Sequence, residues 1–236
     1  MKENLTELVC ILDKSGSMAS LTDDTIGGFN SLIKKQKGEE GECLVTTVLF
    51  NSNIEILHNR VPLKDVKDIT TKDYQAMGCT ALLDAIGISI YKIKNEHANT
   101  PKEKRPDKVL FAIITDGAEN SSKEYNIKQV KNSVTTCQEL LGWEFIFLGA
   151  NIDAIETAST FGIHASRAAN FYCDKVGTEL NFNAVGKVLC CLREDKDIDM
   201  DWNQKLKMIL KLERKNKDFG DIPLYFSIFF LAYKLY

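Results

Sequence analysis

Short apolar runs alternate along the chain with longer stretches whose apolar residues recur at helical spacing. Glu7–Leu12 is a short buried run. In Leu21–Lys37, Ile26, Phe29, Leu32 and Ile33 share one helical face. Cys43–Phe50 predicts a strand rich in Val, Leu and Thr, Asn51-Ser-Asn a turn, and Ile54–Arg60 a strand returning beside it. Ala81–Lys94 predicts a helix with Leu82, Ala85, Ile86, Ile90 and Ile93 on one side. Lys108–Thr115 is almost continuously apolar, as in a strand covered on both faces. A helix over Asn126–Leu141, a buried strand over Trp143–Ala150 and a short helix over Ile152–Phe161 follow. Asn170–Cys173 predicts a last strand and Gly177–Leu192 a last helix. This alternation predicts an α/β fold: a doubly wound, mostly parallel central sheet with helices on both faces and one antiparallel edge strand. Such sheets hold ligands at the carboxyl ends of their strands, which directs attention to the residues after Leu12, Thr115 and Ala150.

The pattern changes near residue 193. Residues 194–201 hold five acids against one Lys, and residues 205–217 hold six Lys or Arg against one Glu. Trp202, Leu206, Ile209 and Leu210 fall at helical spacing between and within them. The chain is therefore divided into a domain over 5–192 and a C-terminal extension over 193–236, a charged amphipathic helix plus an apolar tail from Ile222. The charge blocks read mainly as a self-neutralising solvated face, and the tail as packed core, with a partner-binding surface as the alternative.

Composition narrows the class. At 236 residues and 26.6 kDa, the chain is long enough for one α/β domain to bury ~70–75 % of its unfolded surface. Hydrophobic residues at 44 % and charged residues at 27 % exclude a mainly disordered chain. A net charge of −3 gives no basic surplus for nucleic acid. No apolar run reaches membrane-spanning length and no secretory h-region opens the chain, so a cytoplasmic protein with no membrane partner is expected. The seven cysteines show no Cys-x-x-Cys or zinc spacing and read as small core residues in a reducing compartment. His58, His97 and His164 are scattered and read as loop or surface residues. Oligomeric state leaves no mark in the sequence.

One constellation carries chemistry. Asp13-Lys-Ser-Gly-Ser follows the first strand and sets Asp13, Ser15 and Ser17 in one tight loop around Gly16. Thr80 opens a helix after a turn, and Asp116 ends the strand Leu110–Thr115 and precedes Gly117. By the strand-end rule these oxygens gather on one rim. Two carboxylates and three hydroxyls form a hard-oxygen set suited to Mg²⁺, with Mn²⁺ or Ca²⁺ also acceptable. Only the two acids neutralise such an ion; if they act through water it stays electrophilic and takes one more anionic oxygen, which an Asp or Glu of a partner protein could supply. Lys14 is expected to point away, Glu119 and Asn120 are candidate partner contacts or a solvated turn, and Asp84 is expected to be a structural tie.

Asp-x-Ser-x-Ser at 13–17, Gly-Cys-Thr-Ala-Leu-Leu-Asp-Ala at 78–85 and Thr-Asp-Gly at 115–117 together resemble the metal-ion-dependent adhesion site (MIDAS) of von Willebrand factor type A (VWA) domains. The resemblance covers roughly residues 5–192 and is similar to standalone cytoplasmic bacterial or phage members. It implies that Ser15, Ser17 and Thr80 contact the metal and that Asp13 and Asp116 act through water. It also implies a metal-dependent protein-binding module, not an enzyme. Two other classes stay open: a Mg²⁺-dependent phosphoryl-transfer or hydrolytic enzyme using Asp13, though Ser15 stands where such enzymes carry a second Asp, and a scaffold acting through the C-terminal tail. No phosphate loop and no Gly-x-Ser-x-Gly elbow is present.

Overall fold

A computed structural model describes residues 5–218; the apolar tail from Ile222 lies outside the described residues. Six strands form one sheet: β1 (Leu5–Asp13), β2 (Glu42–Phe50), β3 (Ile54–Pro62), β4 (Lys108–Thr115), β5 (Glu144–Gly149) and β6 (Ala168–Asn170). Their spatial order is β3-β2-β1-β4-β5-β6. All neighbours pair in parallel except β2 and β3. The sequence expectation of a doubly wound sheet with one antiparallel edge strand therefore holds.

Alternation along β1 explains the two-sided core. Leu8, Cys10 and Leu12 face one layer with α1 (Thr22–Gln36), α5 (Lys175–Arg193) and α6 (Gln204–Asp218). Val9 and Ile11 face the other, with α2 (Leu82–Asn99), α3 (Ile127–Leu141) and α4 (Ala154–Thr160). The edge strand β3 is half exposed and carries Glu55, His58 and Arg60, polar and charged side chains that discourage pairing with another chain. Its pairing shifts register near Thr47, and Arg60 takes a left-handed φ of 50° beside that irregularity.

Several boundaries differ from the sequence reading. A 3-10 turn over Gly16–Leu21, not marked in the sequence pattern, precedes α1, whose Thr22–Gln36 matches the expected helix within a residue at each end. The last strand lies at Ala168–Asn170, not 170–173. Its small alanines carry no strand signal, yet Ala168 and Ala169 are buried in opposite layers. After Asn170, whose side chain accepts from the Ala154 N–H at 2.9 Å, the chain leaves the sheet and becomes part of the rim. Helix ends follow local chemistry: Asn126 and Gln129 form a capping box at α3, Gly142 closes it at φ 64°, and Asp174 caps α5.

The division at 192/193 separates compositions, not packing. Ile198, Trp202 and Leu206 are buried in the α1/α5 layer, and the Trp202 indole donates to the Ser166 carbonyl at 2.8 Å. Arg193 is buried and donates to the carbonyls of Gln36, Glu39 and Gly41, binding the end of α5 to the α1–β2 loop. Among the described residues no helix is long and apolar enough to cross a membrane.

Two expectations need correction. The histidines are not all loop or surface residues: His58 lies in β3, and His97 in α2 has its ring bonded to Glu7 at 2.8 Å. Glu7 is fully buried and also accepts from Arg60 Nε at 2.9 Å, which compensates its charge. Cys10, Cys43 and Cys137 are core residues as expected, but Cys79 is exposed and Cys173, Cys190 and Cys191 are only partly covered. Burial pushes the Cys43 thiol up to about 12.

Helices α1 and α5 pack closely because Gly28 lacks a side chain; a Cβ there would stand 2.2 Å from the Phe182 ring. Gly28→Ala is expected to cost about 1–3 kcal/mol in urea denaturation through overpacking. An unchanged midpoint would show that the two helices part freely.

Candidate metal centre

The candidate site lies at the carboxyl edge of β1 and β4, and its loops are tied to one another by backbone bonds. Asp13 ends β1 and Thr115 ends β4 in the same row, facing the α2 layer. The Thr115 hydroxyl donates to Asp13 Oδ2 at 2.5 Å, and the Ser15 N–H donates to Asp13 Oδ1 at 2.7 Å. The buried Tyr74 hydroxyl donates to the Asp13 carbonyl. Both Asp13 carboxylate oxygens are thus engaged inside the chain.

The remaining oxygens converge above it. Ser15 and Ser17 Oγ stand 3.1 Å apart, and Ser17 Oγ donates to Asp116 Oδ1 at 2.6 Å. Gly117 leaves a cradle beside them: a Cβ there would lie 3.3 Å from Thr80 Oγ1 and 3.7 Å from Ser17 Oγ. The three sequence elements that carry Asp13, Ser15, Ser17, Thr80 and Asp116 therefore do meet at one place. Ser17 is exposed at its mouth, while Ser15, Thr80 and both acids are buried.

The Thr80 segment is positioned by its neighbours. The Gly16 N–H donates to the Gly78 carbonyl at 3.0 Å and the Met77 N–H to the Lys14 carbonyl at 2.9 Å. Asn51, after β2, donates its amide to the Met77 carbonyl at 2.9 Å and accepts from the Ala81 N–H at its own carbonyl. Asn120 embraces Thr80, its side chain accepting the Thr80 N–H at 2.9 Å and its N–H reaching the Thr80 carbonyl. Glu119 accepts from the N–H groups of Leu83, Ser121 and Ser122, and Asp84 from those of Lys123, Glu124 and Tyr125. Asp84 is accordingly a tie between α2 and the loop that leads from β4 to α3, as expected. Glu119 and Asn120 fix the Thr80 segment from the same loop. Lys14 is engaged by Glu55 of β3 at 2.5 Å.

The electrostatics favour a cation. Burial raises the Asp13 pKa above the ordinary carboxylate value; its hydrogen bonds with Thr115 and Ser15 oppose this, and the nearby Asp116 charge adds to it. Among the described residues neither acid forms an ion pair with Lys, Arg or His. Buried carboxylates without a cationic partner are costly. Among the described residues no three His, Cys, Asp or Glu side chains cluster to hold a metal. What gathers here is a hydroxyl-rich set with two acids, hard oxygens that fit a small dication and not a thiophilic one.

Three contributors escaped the sequence reading. Thr115 stands inside the Thr-Asp-Gly motif, so strand parity could have found it. Asn51 stands in the turn read after β2, where nothing marks its bonds to the Thr80 segment, and Tyr74 acts from a segment without a local signal.

No family model and no curated protein matches the chain. Among solved structures it is similar to proximal thread matrix protein 1 of the mussel byssus, at 13 % identity and TM-score 0.56, over 79 % of this chain and 46 % of that one. It is also similar to a D319A mutant of the PilB minor pilin of Streptococcus sanguinis, at 10 % identity and TM-score 0.57, over 86 % and 63 %. The manganese-loaded TRAP protein of Plasmodium vivax aligns at 15 % identity and TM-score 0.51, over 75 % and 72 %. The chain thus spans less than two thirds of the mussel and pilin proteins. At these identities the likeness is one of architecture, and that architecture is a VWA-like fold.

Proposed function

We propose that this protein is a divalent-metal-dependent protein-binding module built on a MIDAS-type site, which takes an Asp or Glu carboxylate of a partner protein. The observation that carries this reading is the convergence of Ser15, Ser17 and Thr80 hydroxyls on two buried acids that, among the described residues, have no cationic partner. Ser15, Ser17, Thr80 and Asp116 would hold the ion, while Asp13, whose oxygens bind Ser15 and Thr115, supplies charge from beneath. When bound, the ion supplies a positive centre that accepts an anionic oxygen. Ser17 at the exposed mouth gives the partner access. Manganese in a solved structure of similar fold supports a divalent ion, with Mg²⁺ the first choice and Mn²⁺ or Ca²⁺ acceptable.

This reading assigns no catalytic residue. An Asp13 nucleophile is disfavoured because both its oxygens are already bonded within the chain. Seven free thiols fit a reducing compartment, and we place the protein in the cytoplasm.

Calorimetric titration with Mg²⁺ and Mn²⁺ is expected to give a single site in the wild type. Thr80→Ala is expected to weaken it by about 10-fold or more while leaving the circular dichroism intact. Equal affinity in the two proteins would remove Thr80 from the site. Capture of an acidic protein ligand from a lysate is expected with Mg²⁺ and not with EDTA, and capture in both would refute metal dependence.

Asp13→Asn tests the electrostatic argument separately. The amide oxygen still accepts from the Ser15 N–H, while its NH2 reverses the second bond and donates to the Thr115 hydroxyl, whose proton can turn to the Gly117 carbonyl 3.2 Å away; the buried charge is removed. Its melting temperature in EDTA is expected to equal or exceed that of the wild type, while its stabilisation by Mn²⁺ disappears. A large drop in EDTA would show that the Asp13 charge stabilises the metal-free fold.

A further inference from the structure

Asp116 has two carboxylate oxygens, and the metal reading uses only the side facing Ser17. Oδ1 accepts from Ser17 Oγ at 2.6 Å. Oδ2 faces the thiol of Cys173, whose Sγ lies 3.8 Å away and donates to it. Cys173 comes from the segment after β6 and is partly buried against the α1/α5 core layer. Asn151, which follows β5 and holds a left-handed φ of 54°, is a further polar neighbour of the thiol. The segments after β1, β4 and β6 therefore meet in a chain of contacts, Cys173 to Asp116 to Ser17.

We propose that Cys173 is a positioning residue of the candidate metal site, its thiol holding the Asp116 carboxylate turned toward Ser17. The inference rests on the metal-binding reading above and adds a residue outside the three motifs that define it. A thiol is a weak donor, so its effect is orientational. A carboxylate at a strand end rotates about χ2 with little resistance unless both oxygens are engaged. Ser17 engages one and Cys173 the other. Partners that orient metal ligands in this way typically govern affinity by 10–100-fold.

Replacement of the thiol by a group of similar size without a donor separates orientation from packing. Free Mn²⁺ followed by electron paramagnetic resonance gives the affinity, and water-proton relaxation gives the hydration of the bound ion. Cys173→Val is expected to weaken Mn²⁺ binding about 10-fold and to change that relaxation, with the wild-type melting temperature in EDTA. Cys173→Ser, which restores a donor, is expected to stay near the wild-type affinity. Wild-type affinity in Cys173→Val overturns the proposal and leaves the metal site standing. Equal loss in the Val and Ser variants also overturns it, because the sulfur would then act through packing alone. Absence of Mn²⁺ binding in the wild type would refute the metal reading itself, and this inference with it.

Discussion

Two like charges buried near each other govern the arrangement of this molecule's upper edge. Asp13 and Asp116 end neighbouring parallel strands, both are buried, and the Asp116 charge disfavours ionisation of Asp13. The chain supplies them with hydroxyls and N–H groups and, among the described residues, with no ion-pairing cation. Dipoles soften a buried charge and do not cancel it. On the reading proposed above, the surrounding loops are the wall of a site to which a divalent ion brings the balancing charge.

That wall is built mostly from backbone. Asn51, Asn120, Glu119 and Asp84 hold the strand-to-helix segment around Thr80 through N–H and C=O groups, so its hydroxyl has a defined place beside Gly117. Order supplied by the scaffold does not have to be supplied on binding, which is the usual basis of a prepared site. Glu119 and Asn120 illustrate the point. Read from the sequence as contacts for a partner or a solvated turn, they bond to backbone within the chain.

The legible part of the fold was the part written in local periodicity. The strands β1, β2, β4 and β5 announce themselves as apolar runs, and the motif oxygens sit where parallel sheets keep ligands. The strand β6 was misplaced because Ala168 and Ala169 are small in sequence but buried on opposite faces, a fact of tertiary packing. Tyr74 and Cys173 were invisible for a related reason. Each reaches the site across a long sequence separation, and nothing in its neighbours marks the residue it will meet. The apparent boundary at 193 reflects charge composition, whereas Trp202 and Leu206 belong to the same core as β1.

The central strand holds one more consequence. Glu7 and Asp13 occupy the same alternating row of β1, near its two ends, with Val9 and Ile11 between them. Glu7 meets Arg60 and His97, and Asp13 meets Thr115 and the Ser15 N–H. A slip of β1 by one residue would turn both acids into the opposite apolar layer and strip each of its partners at once. The apolar residues alone do little to forbid that slip, because both faces of β1 are greasy. The two acids therefore act as alignment pins, and the strand that presents the candidate site carries its own penalty against misalignment.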